Sequence, residues 1–403
     1  MKIVKKIGLG LIIIIPTIIL LVLAWAFISY PADYVLRVVR WLDADVYDYQ
    51  KFPARDMAAS SEPFLFDRQL DEERVRTLFE RDPDIDDLDT FLDESDTQAF
   101  IVIQDDAILY ENYFNGAERD SIVTSFSVAK SFASTLVGIA IAEGAINSVD
   151  DPITDYLPEL LERDPEFAGI TIRDLLLMSS GIKYRETMFF NGDDTKTYYY
   201  PDLRQLALEQ SEIIDPPGEY FLYNNYHPLL LGMILERTTG MAVADYLASR
   251  IWQPIGMEFD GSWSLDSEET SFEKMESGIN ARAIDFAKFG RLFLRDGVWQ
   301  GEQVVPAAWV QESTQPDPTL GAGYFPDYFD EFADGGYYKY LWWGIERDGS
   351  EHDFSALGNK GQFIYVSPQN DLIIVRNAER YGPKAFEWLE ILHDFATELQ
   401  NDE

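Results

Sequence analysis

Apolar positions are concentrated first in one charge-free run, Ile7 to Ile28, with Lys2, Lys5 and Lys6 in front of it. As a helix this run would measure roughly 33 Å, the depth of a bilayer core. Lysines on its short side, and Trp25 and Tyr30 at its far end, match the charge bias and aromatic belt of a membrane span. Residues 1–30 therefore predict a single anchor helix, kinked at Pro16, with the rest of the chain outside the cytoplasm, periplasmic or on the cell surface. The competing reading is a cleaved signal peptide, for which Ala24-Trp25-Ala26 supplies a small-x-small site, although the apolar run continues past it.

Residues 31–96 mix aromatics with acid-rich stretches such as DPDIDDLDTFLDESD and predict a membrane-proximal extension packed on a main domain, 97–403. Regular patterning starts at Gln98, where AFIVIQDDAILYENYF forms two β-rich runs around Asp105-Asp106, a hairpin signal. Helical patterns occupy Ser127 to Ala142 and His227 to Thr238. Strand character returns in YYKYLWWGI, in GQFIYV, and in DLIIV after the turn-forming Pro368-Gln369-Asn370. An amphipathic helix from about Pro383 to Leu399 closes the chain. Strands at both ends with helices between predict an α+β fold: an antiparallel sheet from N- and C-terminal segments, flanked by helices, with an inserted helical region. No internal repeat is present.

Composition narrows the chemistry. With 46% apolar residues and 14% aromatics the chain buries a sizeable core. A formal charge of -39 repels nucleic acid and anionic surfaces, so no nucleic-acid partner is expected. The absence of cysteine excludes disulfides and thiolate chemistry. The only histidines are His227, His352 and His393, with no H-E-x-x-H and no G-x-S-x-G, which disfavours metal hydrolases and Ser-His-Asp hydrolases; no metal or cofactor is expected.

A serine followed at i+3 by lysine occurs three times, at Ser127/Lys130, Ser180/Lys183 and Ser271/Lys274. Ser271 lies in DSEETSFEKMES, which reads as a solvated acidic stretch, and Gly181 directly after Ser180 disfavours a helix there. Only Ser127 opens a pattern, VAKSFASTLVGIAIA, that is apolar nearly all round, so a core helix is expected. In a helix Lys130 shares a face with Ser127. Burial disfavours the ammonium form, and a neutral amine is a base able to activate a hydroxyl. The helix start also leaves the Ser127 N–H available to a developing oxyanion.

Two further motifs follow in order, Tyr223-Asn224-Asn225 ahead of the helix HPLLLGMILERTTG, and Ala356-Leu357-Gly358-Asn359-Lys360-Gly361-Gln362 leading into FIYV. Together, S-x-x-K, Y-x-N and a glycine-bearing strand make residues 97 to 400 resemble the serine β-lactamase and penicillin-binding-protein superfamily, and within it class C β-lactamase-like serine hydrolases such as esterases and 6-aminohexanoate-dimer hydrolases. The stretches SVDDPITDYLPEL, TIRDLLLMSSGI and GINARAIDFAKFGRLFL share this likeness.

The resemblance implies a β-lactamase/transpeptidase-like fold and an acyl-enzyme mechanism on ester or amide bonds of a small-molecule or peptide-like substrate. It makes Ser127 the nucleophile, Lys130 the general base and Tyr223 the phenol that relays a proton to the leaving group. Asn225 would orient Lys130 and bind substrate, and the backbone N–H groups of Ser127 and Asn359 would form the oxyanion hole. Gly358 is expected to let substrate lie against its strand, and Tyr184 and Asn280 are candidate substrate contacts. Blander roles compete: a packing tyrosine for Tyr223, a helix cap for Asn225. One departure stands out, because Ala356 occupies the place where β-lactamases and peptidases of the superfamily carry lysine or histidine. Efficient β-lactamase or D,D-peptidase activity is therefore the secondary reading, and a membrane-tethered penicillin sensor acylated without turnover the third.

Overall fold

In the computed structural model the described residues are 2–187, 189–320, 335–347, 351–382 and 387–402, with side chains of the first helix described from Ile14 onward. Asp105 and Asp106 both take positive φ, 51° and 62°. Two such residues in succession make a hairpin turn whose twist suits the flanking strands. They join strands Thr97–Gln104 and Ala107–Tyr113, which pair antiparallel as the sequence pattern predicts.

This N-terminal hairpin completes a sheet built otherwise from the far end of the chain. Strands Gly336–Lys339, Trp342–Glu346, His352–Gly358, Gln362–Ser367 and Leu372–Ala378 follow one another antiparallel, and Leu372–Ala378 pairs with Thr97–Gln104, setting Ile373 opposite Ile103. Asp67–Arg68 adds a short parallel edge beside Ala107. The stretch YYKYLWWGI is not one strand: Tyr340 and Leu341, at φ 44° and 67°, fold it into a hairpin.

Alternation sends the two faces of the sheet into separate cores. Ile101, Ile103, Ile364 and Val375 pack with the helices Val128–Ala142 and Ala283–Leu294, whereas Phe100, Val102, Tyr365 and Ile374 pack with the helices Trp388–Asp402 and Glu72–Phe79. The closing helix thus begins at Trp388; the expected start at Pro383 lies outside the described residues. Every residue from Val128 to Ala140 is buried, which is why that helix is apolar all round rather than amphipathic.

A second, four-stranded sheet runs Ala54–Met57, Gly261–Ser264, Ile279–Ala281, Val123–Thr124. Its last strand leads directly to Ser127. Residues 31–96 are thereby woven into the body of the molecule: Ala54–Met57 pairs with Gly261–Ser264, and the Tyr34 hydroxyl donates to the Phe190 carbonyl at 2.7 Å.

The expected membrane anchor is overturned. Helix Lys2–Ser29 forms, but among the described residues no helix is long and apolar enough to cross a membrane. Its C-terminal end is docked on the protein itself, with Ala26 buried and the Trp25 ring edge-on to Tyr30 at 5.6 Å. The membrane partner and the extracytoplasmic location inferred from that anchor fall with it.

Candidate active site

Ser127 stands at the N-cap position of helix Val128–Ala142, half-buried, with φ −67° and ψ −5°. The residue before it, Phe126, is buried at φ +45°. A bulky side chain in that region carries backbone strain, the kind of cost that persists where a sharp turn aims a functional group. One helical turn on, the Lys130 amine is 2.7 Å from Ser127 Oγ and donates to the Glu276 carbonyl at 2.9 Å.

Lys130 is 1% exposed. Burial lowers its pKa from the ordinary 10.5 to about 7, against the opposing pull of the Glu276 and Glu186 carboxylates. At neutral pH a large fraction of the amine is uncharged and can accept the Ser127 proton. Lys130 Nζ also lies 4.9 Å from the centroid of the Tyr223 ring, which is held between Trp343 and Tyr338 at centroid distances of 5.6 and 6.1 Å.

Asn225 precedes helix Tyr226–Thr239 but makes no side-chain cap bond. Its Nδ2 donates instead to the Tyr184 hydroxyl at 2.7 Å and to Thr197 Oγ1 at 3.2 Å, while its buried Oδ1 has no hydrogen-bond partner among the described residues. Tyr184 is thus buried behind Asn225, with its hydroxyl engaged.

The third motif is the end of strand His352–Gly358 and a tight turn, Asn359–Gly361. A Cβ on Gly358 would come within 2.3 Å of the Ser125 carbonyl oxygen and 3.1 Å of the Ser127 nitrogen. The steric demand for glycine therefore comes from the backbone around Ser127, not only from a substrate. It lets the strand carrying Asn359 close on the helix start. The Asn359 side chain turns back to accept from the Lys360 N–H at 2.8 Å.

Two candidates are placed differently. Asn280 is not brought into this cluster: it accepts from Thr124 Oγ1 at 3.0 Å and donates to Ser262 and Ser264, so both ends of its amide are occupied in the small sheet. Lys360 pairs with Asp43 at 2.8 Å and does not stand in for the cation missing at Ala356, which is itself fully buried. Among the described residues no group of three or more His, Asp or Glu is arranged to hold a metal.

The family model described as Beta-lactamase matches residues 89–393, most of the chain. The chain belongs to the beta-lactamase family. It is 28% identical over 350 residues to a 6-aminohexanoate-dimer hydrolase of Paenarthrobacter ureafaciens, covering 83% of each chain. Its fold is shared with a Bacillus anthracis protein assigned as a 6-aminohexanoate-dimer hydrolase (TM-score 0.72, 23% identity, 90% of this chain and 95% of that one). A class C beta-lactamase has the same fold (TM-score 0.60, 14% identity, 82% and 97% covered). As a beta-lactamase-family protein, this chain is a serine hydrolase of the acyl-enzyme type.

Several residues around this beta-lactamase-family site escape a reading of motifs. Glu276 contributes through its carbonyl, which any residue type supplies, so no sequence signal marks it. Lys274 corrects the sequence expectation: far from solvated, it is 1% exposed and paired with Glu276 at 2.9 Å. Trp343 and Tyr338 reach Tyr223 only through the hairpin at Tyr340-Leu341.

Proposed function

We propose that Ser127 is the nucleophile, Lys130 its general base and Tyr223 the proton relay of a hydrolase acting on ester or amide bonds. The observation that carries this reading is the 2.7 Å contact between Ser127 Oγ and the buried amine of Lys130. Lys130 takes the hydroxyl proton as Ser127 Oγ bonds to the substrate carbonyl carbon. The Ser127 and Asn359 N–H groups meet the oxyanion, which is where electrostatic stabilisation is most effective. Collapse breaks the bond to the leaving alcohol or amine, and Tyr223 delivers the proton that group requires. Water then attacks the acyl-serine, with the same groups used in reverse. This reading makes Asn225 Oδ1, buried and without a hydrogen-bond partner among the described residues, the acceptor for a substrate N–H, with Tyr184 and Thr197 fixing its amide.

The buried methyl of Ala356 offers no charge to a substrate carboxylate, so substrates without an obligatory carboxylate at that position are favoured over penicillins. Labelling with a fluorophosphonate, followed by peptide mapping, is expected to modify Ser127; modification of another serine, or none, overturns the assignment. With p-nitrophenyl butyrate and nitrocefin as paired acyl donors, the ester should show the far larger kcat/KM, and comparable values would reject the role given to Ala356.

A further inference from the structure

Lys130 Nζ contacts two oxygens, Ser127 Oγ and the carbonyl of Glu276. The side chain of that same Glu276 is 1% exposed and sits 2.9 Å from the amine of Lys274, with the Ser277 hydroxyl donating to it at 2.8 Å. Lys274 donates in turn to the Tyr198 carbonyl at 2.5 Å, and its amine lies over the rings of Tyr198 and Phe52 at 4.1 and 4.6 Å. The Tyr198 hydroxyl donates to the buried carboxylate of Asp48 at 2.6 Å. One line of buried contacts thus runs from the N-terminal segment to the catalytic amine.

We propose that Lys274 and Glu276 are positioning residues for hydrolysis: their ion pair fixes the Glu276 carbonyl against Lys130 and offsets the Glu276 charge, so that Lys130 is neutral during catalysis. This rests on Lys130 being the base. A buried carboxylate next to an amine favours its charged form, and a second cation on the carboxylate cancels that effect. Among the charges acting on Lys130, Glu276 is the largest, ahead of Glu186 on the loop before helix Asp193–Tyr199. The other titratable neighbours are Tyr223 over the amine and His227 on helix Tyr226–Thr239, a histidine that burial keeps neutral. Tyr184 lies behind Asn225, its hydroxyl accepting from the Asn225 amide at 2.7 Å. Burial lowers the Lys274 pKa as well, with Glu276 and Asp48 opposing the shift and Arg37 adding to it.

The test is the pH dependence of kcat/KM for an ester in the full chain. Glu276→Gln removes the carboxylate whose charge acts most strongly on Lys130, so the acid limb is expected to move down by about one pH unit. Lys274→Met leaves Glu276 uncompensated, and the limb should move up by about as much. A purely structural pair would lower kcat at every pH and leave the limb in place, and that result in either folded variant overturns the proposal. Should one variant fail to fold, the other decides it. Lys130→Met is the separate control: full turnover without the amine would reject Lys130 as base, whatever the limb does.

Discussion

Ser127/Lys130 and Ser271/Lys274 present the same four-residue spacing and bury their lysines equally, each 1% exposed, yet only in the first pair does the amine reach its serine hydroxyl among the contacts of the described residues. Among the described residues Lys130 has no carboxylate oxygen in contact; its partners are a hydroxyl and a carbonyl, and burial wins, pushing the amine toward neutrality. Burial lowers the Lys274 pKa too, but there a carboxylate at 2.9 Å opposes the shift. The serines differ as well. Ser127 begins a 15-residue helix that aims its hydroxyl at the lysine, while Ser271, at φ 50°, turns its hydroxyl to the Glu268 carbonyl at 2.9 Å. What separates the two amines here is the partner each one has, not the depth at which it is buried.

The largest effect should come from breaking the first pair. Ser127→Ala and Lys130→Met are each expected to lower kcat by roughly 10³-fold or more, the scale of losing an activated nucleophile or its base. Ser271→Ala should stay within about twofold, since it touches no group of the site. Steady-state kinetics on a chromogenic ester measure all three, and a comparable loss in Ser271→Ala would erase the distinction between the pairs.

Much of this was legible in the sequence because it is local. The all-round apolar pattern after Ser127 could only be a core helix, and Asp105-Asp106 between two β-rich runs could only be a turn. The burial of Lys274 was not legible, because the rings that cover it, Phe52 and Tyr198, come from segments remote in the chain. For the same reason the acid-rich composition around Ser271 read as surface. The N-terminal run misled in the opposite direction: length and hydrophobicity matched a bilayer, whereas its described end is docked on the protein through Ala26 and Tyr30. Strand His352–Gly358 carries the third motif on its last residues, and only the folded chain shows that the backbone around Ser127 leaves no room for a side chain at Gly358.

A smaller effect sharpens that last point. Gly358→Ala would place a methyl 2.3 Å from the Ser125 carbonyl, prising the Asn359 turn away from the helix start. Loss of one well-placed oxyanion donor costs about 10²-fold in kcat, with KM little changed, and unaltered kcat would show that this contact does not set the hole.

The smallest effect concerns the remaining serine and lysine. Lys183 is half-buried and paired with Glu212, whereas Ser180 is buried against His227 Nε2 at 2.6 Å. Burial lowers the His227 pKa from 6.5 to about 3, so the unfolded chain binds a proton that the folded one refuses. Stability from this group is intact well above pH 7 and falls as pH drops below about 6.5, by about 1.4 kcal/mol at pH 5.5. Denaturant midpoints for the wild type and His227→Gln check this; an identical pH slope in both would assign the acid sensitivity elsewhere.

The central claim is that burial, with no carboxylate in contact among the described residues, brings the Lys130 pKa down to about 7, so that a large fraction of the amine is uncharged at neutral pH. Its most direct test is an NMR titration of the lysine side chains in Ser127→Ala, with Lys130 assigned by its loss in a Lys130 variant. A midpoint near 7 is the predicted result, and a midpoint near the ordinary 10.5 would contradict the account.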